Sequence, residues 1–251
     1  MTFMRTLVAG ALALTSLAGA AAAQPQYDIP RRAMVANIEQ LAAAGALAGP
    51  RKLDRRVLAA MREVPRHRFV PDERRAWAYE DTALEIGHGS TISQPFMVAT
   101  MTDLLQVRPG QKVLEVGTGS GYQAAILDRL GAQVYTIEIV PQLARSAAAR
   151  LAELGHRGVQ VRTGDGYKGW PQAAPFDAIL VTAGATHIPD PLVAQLKPGG
   201  RMLIPAGQDE DRQQLTLVTK DAKGAVKVRR LGRVAFIPLD ERARPKPQTR
   251  R

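Results

Sequence analysis

The sequence contains no cysteine. Disulfides, a thiol nucleophile and zinc–thiolate sites are therefore excluded, while the redox compartment stays open. Four histidines are present, His67, His88, His156 and His187. They stand far apart with none of the spacing of a metal site, so no bound metal is expected. No uninterrupted apolar run is long enough to cross a bilayer, and no internal repeat is evident. Acidic residues are in the minority: 23 Asp and Glu face 34 Lys and Arg, a formal charge of +11. That balance suits nucleic acid, an anionic membrane surface or acidic substrates, and equally a plain solvated basic surface. The 251 residues, 45% hydrophobic, suffice for one sizeable core.

The first 23 residues read as an address rather than as part of the fold. Arg5 supplies a positive start, Leu7–Leu17 is apolar with small residues, and Ala21-Ala22-Ala23 offers a cleavage site before Gln24. This is the pattern of a secretory signal peptide (1–23). With no cysteine at the junction, a lipid anchor there is excluded. Periplasmic or secreted location follows, with no stable membrane insertion after cleavage; a cytoplasmic protein with an Ala-rich leader is the alternative.

The chemistry concentrates in Val113-Leu114-Glu115-Val116-Gly117-Thr118-Gly119-Ser120-Gly121. A short apolar run breaks into three glycines at alternate positions, and a helical pattern follows from Tyr122 to Leu130. That is a buried parallel strand, a tight loop and a helix, the first βα unit of a nucleotide-type fold. The next apolar run ends in Glu138, about twenty residues on, where a carboxylate can accept hydrogen bonds from both hydroxyls of a ribose. The spacing G-x-G-x-G differs from the G-x-G-x-x-G of dinucleotide enzymes. The loop holds no Lys or Arg for a phosphate, and Glu115 adds negative charge. S-adenosylmethionine, cationic at its ammonium and sulfonium, suits this better than NAD.

Around this unit the chain predicts helices over 30–46 and from Asp54, the latter capped by Asp54 and ended by Val64-Pro65. A proline-bounded loop (65–71) and a helical turn at 76–79 follow. An irregular loop over 87–95 leads into a helix at 96–105. The bland reading of Ser90, Thr91 and Ser93 in that loop is capping and turn chemistry. Further on come a helix over 142–155, strands at 159–163, 176–182 and 201–205, and a short helix at 192–196. Asp165 and Gly166 follow the 159–163 strand and point to the same crevice as Glu138. Alternation at 214–219 and 225–229 around Asp221-Ala222-Lys223-Gly224 marks a β-hairpin, with one more strand at 234–239. Trp77 and Trp170 are read as packing residues. The basic, proline-rich 242–251 reads as a disordered tail.

With these residues in hand the chain resembles the protein-L-isoaspartate O-methyltransferases. The match is carried by V-P-R-H-R-F-V-P (64–71), T-I-S-Q-P (91–95), the glycine loop with its flanks (112–125), V-Y-T-I-E (134–138), G-D-G-Y-K-G-W-P (164–171), A-P-F-D-A-I-L-V-T-A (174–183), Q-L-K-P-G-G-R (195–201) and F-I-P-L (236–239). The resemblance implies an α/β, Rossmann-like class I methyltransferase fold: a mostly parallel sheet closed by an antiparallel hairpin, with an N-terminal helical cap. The domain would run over 24–241, the cap and substrate loop over 24–105 and the sheet over 106–241. It implies S-adenosyl-L-methionine as cofactor and isoaspartyl-containing proteins and peptides as substrates, methylated at the α-carboxylate. Nucleic acid is not an expected partner, and a monomer is expected. Ser93 would be the active-site serine. Thr91, Ile92 and Ser93, Glu115, Gly117, Thr118, Gly119, Ser120 and Gly121, Glu138 at the ribose, and Asp165 with Gly166 near the adenine would contact the cofactor. Two departures stand out. The family is usually leaderless, and Gly184 falls where it often has alanine. A nucleic-acid methyltransferase, a non-catalytic binder of damaged peptides and an NAD enzyme are the competing readings.

Overall fold

The structure, a computed structural model, describes residues 25–208 and 212–239. The expected leader (1–23) and tail (242–251) lie outside the described residues. Helix α1 spans Asp28–Ala44 and stops at Gly45, whose left-handed φ of 74° suits glycine. Helix α2 (Arg55–Glu63) starts as predicted at Asp54, whose side chain accepts a hydrogen bond from the Arg56 amide. One 3₁₀ segment, Arg66–Phe69, lies within the proline-bounded stretch, and a second, Asp72–Trp77, follows Pro71, beginning ahead of the turn expected at 76–79.

The irregular loop expected at 87–95 is instead a small hairpin of β1 (Leu84–Gly87) and β2 (Ser90–Ile92). His88 and Gly89 both have positive φ, 53° and 65°. That is the primed turn which matches the twist of a hairpin, and His88 in place of Asn or Asp hides it in the sequence. Helix α3 (Pro95–Leu105) follows with proline in its first turn.

The main sheet contains β3 (Lys112–Val116), β4 (Gln133–Glu138), β5 (Gln160–Thr163), β6 (Phe176–Val181), β7 (Leu196–Ala206), β8 (Gln214–Lys220) and β9 (Val226–Arg233). Their spatial order is β5-β4-β3-β6-β7-β8-β9. The first five are parallel; β8 and β9 are antiparallel, as the sequence hairpin predicts. Helix α4 (Tyr122–Arg129) joins β3 to β4, and α5 (Pro141–Glu153) joins β4 to β5. After β5 the chain crosses to the other side of β3, so the sheet has its switch point there. Strand β7 begins five residues earlier than expected, taking in Lys197-Pro198-Gly199-Gly200 at an irregularity opposite β6. The last strand expected, 234–239, does not form. That segment instead docks on Gly184 and Gln213: the Gly184 amide donates to the Ile237 carbonyl and the Leu239 amide to the Gly184 carbonyl, while the Gln213 side chain bonds the Phe236 amide and carbonyl.

Alternation along β3 divides the core between the two faces of the sheet. Val113, Leu180 and Leu203 share a cluster with Val35, Ile38, Met61 and Met101, so the N-terminal helices complete the sheet's own core rather than pack as a separate unit. Leu114, Val116, Ile179, Val181 and Met202 form the second cluster with Leu192 of α6 (Asp190–Gln195). Glu115 lies on the first face, cross-strand from Thr136 and Leu180.

Candidate functional site

At the carboxyl ends of β3 and β4 lies a cavity of about 440 Å³. The glycine loop forms its floor, β2 and the start of α3 one wall, and residues 233–237 the other. Ligands of open α/β sheets bind at this place. Of the residues expected at the cofactor, Thr91, Ile92, Ser93, Glu115, Gly117, Thr118, Gly119, Ser120 and Glu138 line the cavity together.

The loop is built to leave room. Gly117 has φ 102°, and a Cβ there would fall 2.6 Å from the Thr182 hydroxyl. That hydroxyl donates to the Gly117 carbonyl at 2.6 Å and pins the turn to β6. Gly119 has φ 51°, with only Ile86 and the Thr91 carbonyl near a Cβ position. The third glycine serves packing: Gly121 starts α4 against Leu151 and Ala147 of α5. Gly166 likewise packs on Val116 and Leu239. Asp165 is outside the cavity lining. It caps the 3₁₀ turn 166–168 by accepting from the Tyr167 amide at 3.0 Å. It is nevertheless adjacent, because the neighbouring Gly164 amide donates to the Glu138 carbonyl.

Glu138 is 2% exposed. One oxygen accepts from the Gly119 amide at 2.8 Å and the other from the Val140 amide at 3.0 Å. Each carboxylate oxygen has further lone-pair capacity, so a fixed carboxylate can still accept from ligand hydroxyls.

Glu115 is fully buried and neither oxygen has a hydrogen-bond partner. Burial pushes its carboxyl up to about 8; the Glu138 charge adds to this, and the Thr136 hydroxyl opposes it without reaching hydrogen-bonding geometry. The sequence expectation of a negative charge at Glu115 is thus corrected: without a cation beside it, the group is mostly protonated near neutrality. An orphaned buried carboxyl beside an open glycine cradle fits a ligand bearing positive charge.

The loop that carries Ser93 is held from behind. Arg66 is completely buried, and its guanidinium donates to the carbonyls of Ala78 at 2.8 Å and Ser93 at 2.7 Å. It also stacks on the Tyr122 ring. Burial lowers its pKa to about 10, with Tyr122 and Asp81 acting in the opposite sense, so it stays charged at neutral pH. Asp81 accepts from the Phe96 amide at 2.7 Å and from the Gln94 side chain at 3.2 Å. It thereby caps α3, whose own N-cap Gln94 makes no such bond. Asp81, Thr182 and residues 233–237 also line the cavity; from the sequence, Thr182 and 234–237 are expected only as strand residues. Thr182 carried a signal, its place at the carboxyl end of an apolar strand; Asp81 carried none.

His67 is buried, stacks on Tyr27 and bonds the Tyr79 hydroxyl at 2.7 Å. His156 pairs with Asp128, and His88 is exposed at its turn. Trp170 packs edge-on against Tyr135, whereas Trp77 is 45% exposed. Among the described residues no group of His, Asp and Glu is placed to hold a metal.

A parallel sheet closed by a hairpin, with this glycine loop and two acids at its switch point, defines a class I methyltransferase. The family model for protein-L-isoaspartate(D-aspartate) O-methyltransferase matches residues 36–244. Protein-L-isoaspartate O-methyltransferase 1 of Cupriavidus necator is 51% identical over 93% of this chain and 90% of its own. Protein-L-isoaspartate O-methyltransferase 2 of Syntrophobacter fumaroxidans is 54% identical over 91% and 94%. A solved structure of a putative protein-L-isoaspartate O-methyltransferase from Plasmodium falciparum in complex with S-adenosyl-L-homocysteine superposes with a TM-score of 0.68. It is 26% identical, over 83% of this chain and 98% of that one. The chain belongs to the protein-L-isoaspartate(D-aspartate) O-methyltransferase family.

Proposed function

We propose that this chain methylates the α-carboxylate of L-isoaspartyl residues, and of D-aspartyl residues, in damaged proteins, with S-adenosylmethionine as donor. The ester so formed closes to a succinimide, from which normal aspartate can be recovered. One observation carries this reading: Thr91–Ser93, Gly117–Ser120, Glu115 and Glu138 converge on a single cavity.

Bound against the glycine loop, S-adenosylmethionine supplies an electrophilic methyl on a sulfonium. Glu138 would accept from the ribose hydroxyls, and Asp165, outside the cavity lining but beside Glu138, would meet the adenine. Glu115 would face the cationic end, and Thr91, Ile92 and Ser93 would hold the sulfur side from the opposite wall. The nucleophile is the substrate's own carboxylate, already ionised at neutrality with an ordinary pKa of about 3.9, so no general base is required. What the chain must supply is position: a carboxylate oxygen held in line behind the methyl, about 3–3.5 Å away. The Ser93 hydroxyl donates a hydrogen bond that sets this orientation. Ile92, Phe96 and Phe236, which line the cavity, exclude water as opposite charges combine.

The test uses purified protein, labelled donor and two peptides that differ only in isoaspartate or aspartate at one position. Label should enter the isoaspartyl peptide alone. Binding of that peptide without methyl transfer would support a non-catalytic binder instead.

We further propose that residues 1–23 are an export leader. No helix among the described residues is long and apolar enough to cross a membrane. Sequencing the N-terminus of protein recovered from fractionated cells should find a start at Gln24 outside the cytosol. An intact leader on cytosolic protein would overturn the export reading.

A further inference from the structure

The glycine loop that floors the cavity must be ordered before a donor can seat on it. Gly117, Gly119 and Gly121 all take left-handed φ, at 102°, 51° and 89°. Fixing a glycine costs more chain entropy than fixing any other residue. A loop already held in the free protein spares the ligand that cost. Its first half is tied down by the Thr182 hydroxyl at the Gly117 carbonyl and by Glu138 at the Gly119 amide. At Ser120 the hold comes from a helix: Arg150 of α5 donates through Nη1 to the Ser120 carbonyl at 2.8 Å. We propose that Arg150 is a positioning residue for the donor, fixing the far half of the glycine loop in the shape that receives S-adenosylmethionine.

Helical spacing brings Arg150 to the loop. Ala147, Arg150 and Leu151 stand at i, i+3 and i+4 on one face of α5. Ala147 and Leu151 pack where a Cβ at Gly121 would stand, at 3.5 and 3.2 Å. Arg150 reaches past this apolar contact to the neighbouring carbonyl, and a hydrogen bond from a charged donor is stronger than a neutral one. It does not line the cavity, so it acts through the loop backbone and not on the ligand. The side chain is half-buried, which lowers its pKa; Glu153, one turn on in α5, opposes this, and Arg68 adds to it. Arg68 and Glu153 are themselves ion-paired. Arg68 belongs to the same 3₁₀ segment as Arg66, which holds the Ser93 carbonyl. One short stretch of chain thus braces both α5 and the loop that carries Ser93.

The inference rests on the glycine loop being the donor's seat, so wild type and Glu138→Gln are titrated with S-adenosylmethionine first. No binding in wild type, or equal binding in Glu138→Gln, would defeat that reading itself and the role of Arg150 with it. Given that seat, Arg150→Met and Arg150→Lys are compared with wild type by calorimetry, with S-adenosylmethionine and with S-adenosylhomocysteine. Methionine keeps the apolar stem and helix propensity but has no donor. Arg150→Met should weaken binding of both ligands about tenfold, the lower end for a hydrogen bond from a charged group. Both should weaken alike, because the two share the ribose and adenine and differ only at the sulfur. Arg150→Lys keeps a charged donor and should stay within about threefold of wild type. In steady-state assays of Arg150→Met, kcat at saturating donor and the peptide KM should stay within about twofold, since binding lost equally from ground and transition state leaves kcat alone. A lower melting temperature with unchanged affinity for both ligands would show a merely structural arginine and overturn the proposal. A loss confined to the sulfonium ligand would show a charge effect and overturn it too.

Discussion

Ser93 is the most direct probe at the scale of single residues. If its hydroxyl orients the nucleophile, Ser93→Ala removes a hydrogen bond to a charged group, worth about 1.5–3 kcal/mol. The expected result is a fall of about ten- to a hundredfold in kcat, with donor affinity by calorimetry nearly unchanged. An unaltered kcat removes Ser93 from the mechanism. Glu115 gives a prediction of opposite sign for stability. Its folded pKa lies near 8, above the ordinary carboxylate value of 4.5. Between those pH values the unfolded chain has released the proton and the folded chain has not, so this group's contribution to stability is lost as pH rises through that window. Glu115→Gln should flatten the decline of the ligand-free melting temperature between pH 5 and 8.5, and should weaken donor binding. An equal decline in the two proteins would show the carboxyl ionised in the fold. His67 acts in the other direction. Burial, then the nearby Arg31, Arg68 and Arg75, lower its pKa to about 4, so its stabilisation is present above about 6.5 and lost on acidification. The place of Glu115 at the cavity was legible from its position beside the glycines. Its protonation was not, because burial on both sides of a central strand is a property of the assembled sheet.

Among the elements, the hairpin β1–β2 and helix α3 present Thr91–Ser93 to the cavity, and Arg66 with Asp81 hold them there. Asp81→Asn leaves the side chain's size unchanged but weakens its acceptance from the Phe96 amide. It should destabilise the fold by about 1 kcal/mol, as loss of a helix cap does. It should also lower kcat more than it changes donor affinity. A kcat equal to wild type would separate the anchoring of α3 from catalysis. Gly184→Ala tests the opposite wall: its methyl would collide with the Gln213 amide, at a cost of about 1–3 kcal/mol. A melting temperature equal to wild type would show that Gln213 can move aside. Helices and parallel strands could be located from periodicity and caps, Asp54 among them. The β1–β2 hairpin could not, since four-residue strands around a His-Gly turn give little alternation. The missing 234–239 strand reads as one in sequence; Gly184 supplies only isolated backbone bonds to it.

For the whole molecule, the order β5-β4-β3-β6-β7-β8-β9 brings sequence segments far apart in the chain to one rim. The glycine loop and Glu138 were legible because their spacing is local to one β-α-β unit. Asp81 and Arg233 were not, since only the closed fold places their distant segments beside that unit. The central claim is that a sugar-bearing cationic donor seats on Gly117–Ser120 with Glu138 at its ribose. Isothermal calorimetry of the intact protein with S-adenosylmethionine tests this most directly. One site per chain should be seen, and Glu138→Gln should weaken it at least about tenfold, since a hydrogen bond to a charged acceptor is worth about 1.5–3 kcal/mol. Absence of any binding heat in wild type at several temperatures, or equal affinity in the variant, would contradict the account.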